Sequence, residues 1–151
     1  MNPGSYSRQL AAVALAVPSL AFAALGGDLS SVQADQVHMK ATVRIARSEA
    51  QYTVQEIQTP SGTAVREYVA ANGTVFGVAW KGPAVPNLKQ VLGQYFDSYT
   101  EAAKNKRSGH SQLMVQQSGL VVHSSGHMRA FFGNAYIPQM LPQGVTAKDI
   151  F

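Results

Sequence analysis

An α+β fold, an antiparallel β-sheet packed on one long amphipathic helix, is what this sequence predicts. Three observations carry the prediction. Runs rich in β-formers fall in two blocks, residues 41–80 and 113–136. The strongest helical periodicity lies between the blocks, and there are too few helices to connect the strands of a parallel sheet. About six to seven strands are expected. With 46% hydrophobic and 13% charged residues in 151, the chain can bury one core and does not resemble a disordered tail.

Residues 1–23 read as a secretory signal peptide. Arg8 gives a positive start, Leu10 to Leu20 an apolar stretch ending near Pro18, and Ala21-Phe22-Ala23 the small-x-small cleavage pattern. The apolar stretch is short for a membrane anchor of about 20 residues, so no membrane span is expected once it is cleaved. A single domain over residues 24–151 remains, exported to the periplasm or beyond. It has no cysteine, hence no disulfide, no lipid-attachment cysteine and no thiolate chemistry. The net charge of +4 is small and its cations are spread, which argues against nucleic acid as a partner. The local run Lys104, Lys106 and Arg107 reads as a solvated helix end.

A first helix is expected within residues 27–40, capped by Asp28, Ser30 or Ser31, with Val32, Val37 and Met39 on one stripe. Strands follow at Ala41 to Ala46 and Tyr52 to Gln58, the second closed by the turn Thr59-Pro60-Ser61-Gly62. Asn72-Gly73 between Val65–Ala71 and Thr74–Trp80 predicts a two-residue type I′ hairpin. That loop sets Val69 opposite Phe76, Tyr68 opposite Gly77, Glu67 opposite Val78 and Val65 opposite Trp80. One face then carries Val65, Val69, Phe76, Val78 and Trp80, with Glu67 in its middle. Asn87 caps the main helix, whose apolar stripe is Leu88, Val91, Leu92, Tyr95, Phe96 and Tyr99. After a polar loop at Asn105 to His110, three strands are expected at Leu113 to Gln117, Leu120 to Ser124 and Met128 to Tyr136, joined by Ser-Gly turns.

Three blocks of sequence carry a resemblance. ALGG at residues 24–27, REYVAANGTVFGVAWKGPAVPNLKQVLGQYF at 66–96 and GHMRAFFGNAYIPQMLPQGV at 126–145 resemble a family of small exported proteobacterial proteins known as domain of unknown function 2844. The resemblance spans nearly all of residues 24–151. It implies export and a single domain, and it brings no activity, cofactor or catalytic residues with it.

The candidate chemistry therefore comes from the residues. His123 and His127 flank Ser124-Ser125-Gly126, and a turn there would bring the imidazoles together with the Met128 thioether, a donor set suited to copper; His38-Met39 could complete it. A turn histidine bonded to backbone is the simpler expectation. Ser124, Ser125, His127 and Glu67 supply residue types for a hydrolase, without a G-x-S-x-G elbow. Glu56 and Glu67 lie on neighbouring strands, without the acidic partner that glycosidase chemistry requires. Glu67 among apolar neighbours requires a cation, donors or a proton; Arg129 and His127 are its expected partners, and a place at the sheet rim in water is the other expectation. Trp80, Tyr95, Tyr99, Phe132 and Tyr136 form either core or a stacking platform. The ligand-binding candidates are thus Glu67, Trp80, His127, Arg129 and Tyr136. The functional expectation is a non-catalytic binding or interaction module of the bacterial envelope, without cofactor, whose partner is an envelope protein or a small ligand. A metal-handling protein or hydrolase centred on His123, His127, Glu67 and Arg129 is the alternative.

Overall fold

The computed structural model describes residues 25–105, 112–117 and 119–151. The expected signal peptide at 1–23 and most of the loop between the main helix and the next strand lie outside them. Seven strands form one antiparallel sheet: β1 (Val43–Ser48), β2 (Tyr52–Gln58), β3 (Ala64–Ala70), β4 (Val75–Gly82), β5 (Gln112–Gln117), β6 (Leu120–His127) and β7 (Ala130–Tyr136). Their order is β1-β2-β3-β4-β7-β6-β5. The strands do not form two separate blocks: β4 pairs with β7, and all seven belong to one continuous sheet.

Helices cover one face of this sheet. α1 (Leu29–His38) starts at Asp28, whose carboxylate accepts hydrogen bonds from the Ser31 amide and the Ser30 hydroxyl. Its buried face is Ser31, Val32 and Asp35. Val37, expected on that stripe, is 75% exposed. The expected single long helix is divided into α2 (Leu88–Leu92), a 3₁₀ turn at Gly93–Tyr95 and α3 (Phe96–Asn105). The break falls at Gly93, which takes φ +50° and ψ −122° and so cannot continue the helical ladder. Both halves still point the predicted stripe inward: Val91 and Leu92 are buried, and Leu88, Tyr95, Phe96 and Tyr99 pack against the core.

That core, between helices and sheet, holds Ile57, Val65, Val69, Val75, Val78, Trp80, Val115, Leu120, Val122, Ala135 and Ile137. Leu25 belongs to it as well, its amide bonded to the Val91 carbonyl. The Trp80 ring lies so close over Gly133, its register partner on β7, that a Cβ there would stand 2.3 Å from Cζ2. Only glycine fits.

The β3–β4 hairpin departs from the predicted loop and then recovers the predicted register. Gly73 alone has positive φ, +86°, so the connection is the three-residue loop Ala71-Asn72-Gly73 rather than a type I′ turn. The longer loop sets Val69 opposite Val75. A bulge at Phe76 absorbs the offset, and from Tyr68–Gly77 through Glu67–Val78 to Val65–Trp80 the pairs are those expected. The bulge turns Phe76 to the opposite face, where it packs with Tyr52, Tyr68 and Ile150.

The β6–β7 connection also differs. No turn occurs at Ser124-Ser125-Gly126: β6 runs through them to His127, and the reversal is at Met128-Arg129, with φ of +49° and +69°. The type I′ geometry expected at Asn72-Gly73 occurs here instead, on two residues with no intrinsic preference for it.

Candidate functional site

The second face of the sheet is only partly covered. Residues paired in register form rows across it. Tyr68, Gly77 and Tyr136 make one row, and it is sealed by the C-terminal segment. Ile150 is fully buried there, its side chain in van der Waals contact with the space where a Gly77 side chain would stand. Tyr68 Oη and Arg66 Nη1 donate to the Phe151 carbonyl at 2.6 and 2.8 Å, and the Phe151 amide donates to Tyr68 Oη at 2.8 Å.

The next two rows stay open. Arg66, Ala79, Asn134, His123 and Met114 follow one another across β3, β4, β7, β6 and β5, and beside them run Ala64, Lys81, Phe132 and Ser125. Small side chains on β3 and β4 lower the floor, while Phe132, Met114 and Phe151 stand as exposed apolar walls. The result is a groove of about 840 Å³, within the range of small-molecule sites.

Its floor holds an unmet polar pair. Asn134 is 2% exposed; its Nδ2 donates to the Ile150 carbonyl at 2.8 Å, which fixes the amide orientation. Its Oδ1 is buried without a hydrogen-bond partner among the described residues, as is Nε2 of His123. These two residues are register partners on β7 and β6, so their Cβ atoms are about 5 Å apart on one face. Buried polar groups are nearly always satisfied. Both atoms are themselves sealed from solvent, so they lie beneath the surface of the groove. Arg66 on the same row is already held, its Nε donating at 2.8 Å to Glu56, which Arg47 also bridges. The hydrogen bond from Arg66 holds the Glu56 carboxyl below its ordinary range. No acid lines the groove among the described residues.

On the helical side lies a second polar cluster. Glu67, 1% exposed, projects from β3 toward the fully buried Asp35 of α1. Burial first, then the neighbouring Asp35 carboxylate and the hydrogen bond the two share, push the Glu67 carboxyl well above its ordinary value; Arg44 opposes weakly. Gln90 of α2 donates to Asp35 at 2.8 Å, and Arg44 of β1 donates to buried Gln55 of β2 at 3.0 and 3.1 Å. Glu67 therefore keeps its proton where an exposed glutamate has lost it, and the pair ties both helices to the sheet. A cavity of about 790 Å³ lined by Asp28, Ser31, Lys89 and Gln90 adjoins this cluster, and Gln90 forms the wall between them.

The expected site residues do not converge. Glu67 is buried among apolar neighbours as expected, and its partners are Asp35 and Arg44 rather than Arg129 or His127. Arg129 sits at an exposed hairpin tip, six residues along β7 from Ala135, or about 20 Å from the row that holds Glu67. His123 and His127 lie four residues apart on one continuous strand, about 13 Å, and are not brought together; Met128 points into solvent, 90% exposed. Among the described residues there is no cluster of three or more metal-ligating side chains. The aromatic residues are divided between two faces. Trp80, Tyr95 and Tyr99 are in the helical core, whereas Phe132 lines the groove and Tyr136 packs beside Ile150. Asn134 and Asp35 escaped the sequence reading. Each had a weak signal: Asn134 is the polar member of the alternation Phe132, Asn134, Tyr136, and Asp35 follows Val32 and Ser31 at helical spacing.

No curated protein and no solved structure matches this chain. A family model does, over residues 21–150, and so the chain belongs to the family described as protein of unknown function (DUF2844).

Proposed function

We propose that this protein is an exported, non-catalytic binding module whose ligand occupies the groove on the open face of the sheet. The groove itself carries this reading: about 840 Å³, with the exposed apolar side chains of Phe132, Met114 and Phe151 along it. Export is supported by the charge, apolar stretch and small-residue pattern of residues 1–23. Among the described residues no acid lines the groove to orient His123, and the Glu67–Asp35 pair is sealed between helix and sheet.

Titration with the fluorescent apolar dye 1-anilinonaphthalene-8-sulfonate tests the groove. The expected outcome is saturable one-to-one binding, weakened at least about tenfold by Phe132→Asp, a substitution at a 54% exposed wall that leaves the core untouched. Absence of saturable binding, or binding indifferent to Phe132→Asp, overturns the assignment.

A further inference from the structure

Charge along the groove discriminates among the ligands it can take. We infer that the ligand is a monomeric amphiphile, a carboxylate on an apolar chain, whose head is met by Lys81 and whose chain lies across the sheet toward Met114. The inference rests on the groove being the binding site and goes beyond it to the ligand's chemistry.

Arg66 and Lys81 line the groove, and no acid does among the described residues. Arg66 is already engaged: its Nε donates to Glu56 and its Nη1 to the Phe151 carbonyl, each at 2.8 Å. Lys81 is different. It is exposed on β4 and forms no ion pair among the described residues. Alternation along β4 sends Trp80 into the helical core, and so Ala79 and Lys81 face the groove. An ammonium beside low-dielectric apolar walls draws an anion more strongly than one in open water, and it repels a cation. A single cation also matches the one charge of a carboxylate better than the nearly double charge of a phosphate monoester. The apolar surface is continuous with that head position. Phe132 is the register partner of Lys81 on β7, and Met114 stands exposed on β5. Three strand spacings separate β4 from β5, about 14 Å across the sheet, which is room for an extended alkyl chain of medium length.

Calorimetric titration of the intact protein with monomeric decanoate, decanol and decyltrimethylammonium tests the head group. Decanoate is expected to bind about three- to tenfold more tightly than decanol, the worth of one charge-assisted contact discounted for its exposure to water, with the ammonium weakest. Lys81→Gln should abolish the preference for decanoate, and Lys81→Arg should keep it. Lys89→Gln, which removes the same charge from the helical side, should leave it unchanged. Equal affinity for decanoate and decanol, tighter binding of the ammonium, or a preference lost equally in Lys89→Gln overturns the anionic head and leaves the groove as a binding site. Binding to phosphatidylglycerol vesicles without binding of decanoate overturns it in favour of a lipid surface, and a dimer that Phe132→Asp dissociates overturns it in favour of a second copy of the chain. If none of the three compounds binds, the inference fails, and dye binding sensitive to Phe132→Asp then decides whether the groove fails with it.

Discussion

Glu67 and Asp35 place two carboxyls in one buried site, and the physics of that pair governs how stability responds to pH. The folded state holds the Glu67 proton at pH values where the unfolded chain, with an ordinary glutamate near 4.5, has released it. Stability is therefore full below about pH 4.5 as far as this group is concerned. It falls as the pH rises from there to the raised folded value and levels off beyond it. Glu56 has the opposite sign: its lowered value contributes stability that is lost as the pH falls through it. Glu67→Gln supplies a permanent donor to Asp35 and should remove the decline, leaving the variant more stable than the parent by about 1–3 kcal/mol at pH 9. Urea unfolding at pH 5, 7 and 9 measures this. A variant less stable than the parent at pH 9 would show that Glu67 is ionised and bridged to a cation instead.

Hairpin connections show how an element can reach its register by a route that local preference does not dictate. Asn72-Gly73 is the strongest type I′ signal in the chain, yet only Gly73 takes positive φ, and the bulged Phe76 restores the pairing. The side chain explains the choice. Moving Phe76 out of the helical core places it in the aromatic cluster with Tyr52 and Tyr68, at ring separations of 5.8 and 6.2 Å, beneath Ile150. At the other hairpin, Met128 and Arg129 occupy left-handed conformations without glycine or asparagine to ease them. The cost is about 1 kcal/mol or more per residue. Met128→Asn combined with Arg129→Gly should raise stability by about 1–2 kcal/mol, read as a higher thermal midpoint. No change, or a decrease, would mean that the tip side chains make contacts worth as much as the strain.

For the whole molecule, the cores on the two faces assign the chain ends different tasks. Leu25 is sealed under α2, its amide bonded to Val91, and Gly26 and Gly27 hydrogen-bond with Val75 at the start of β4. The fold thus engages the chain two residues after the expected cleavage at Ala23, and no described helix is long and apolar enough to cross a membrane. Expressed with residues 1–23 in a bacterial host, the protein should be recovered outside the cytoplasm with Ala24 as its first residue, read by intact mass. Cytoplasmic protein retaining those residues would remove the export proposal. At the other end, Ile150 and Phe151 close one row of the open face, and the Ile150 carbonyl accepts from Asn134 Nδ2 beneath the groove.

By itself the sequence determined an antiparallel sheet of about six to seven strands, a helix capped by Asp28, Ser30 or Ser31, a second capped by Asn87, and a carboxylate at position 67 set on an apolar face. Each of these rests on local periodicity or on a register that one hairpin defines. It could not determine that β4 pairs with β7, because that pairing links residues about fifty to sixty positions apart in the chain. The partners of Glu67 come from α1 and β1, and the groove joins side chains from five strands with a C-terminal segment. Alternation tells which residues share a face, but which rows are covered and which stay open depends on where distant segments dock. The tertiary structure alone therefore decided that His123 meets Asn134 rather than His127, since a strand spaces its own side chains apart and only its neighbours bring others within reach.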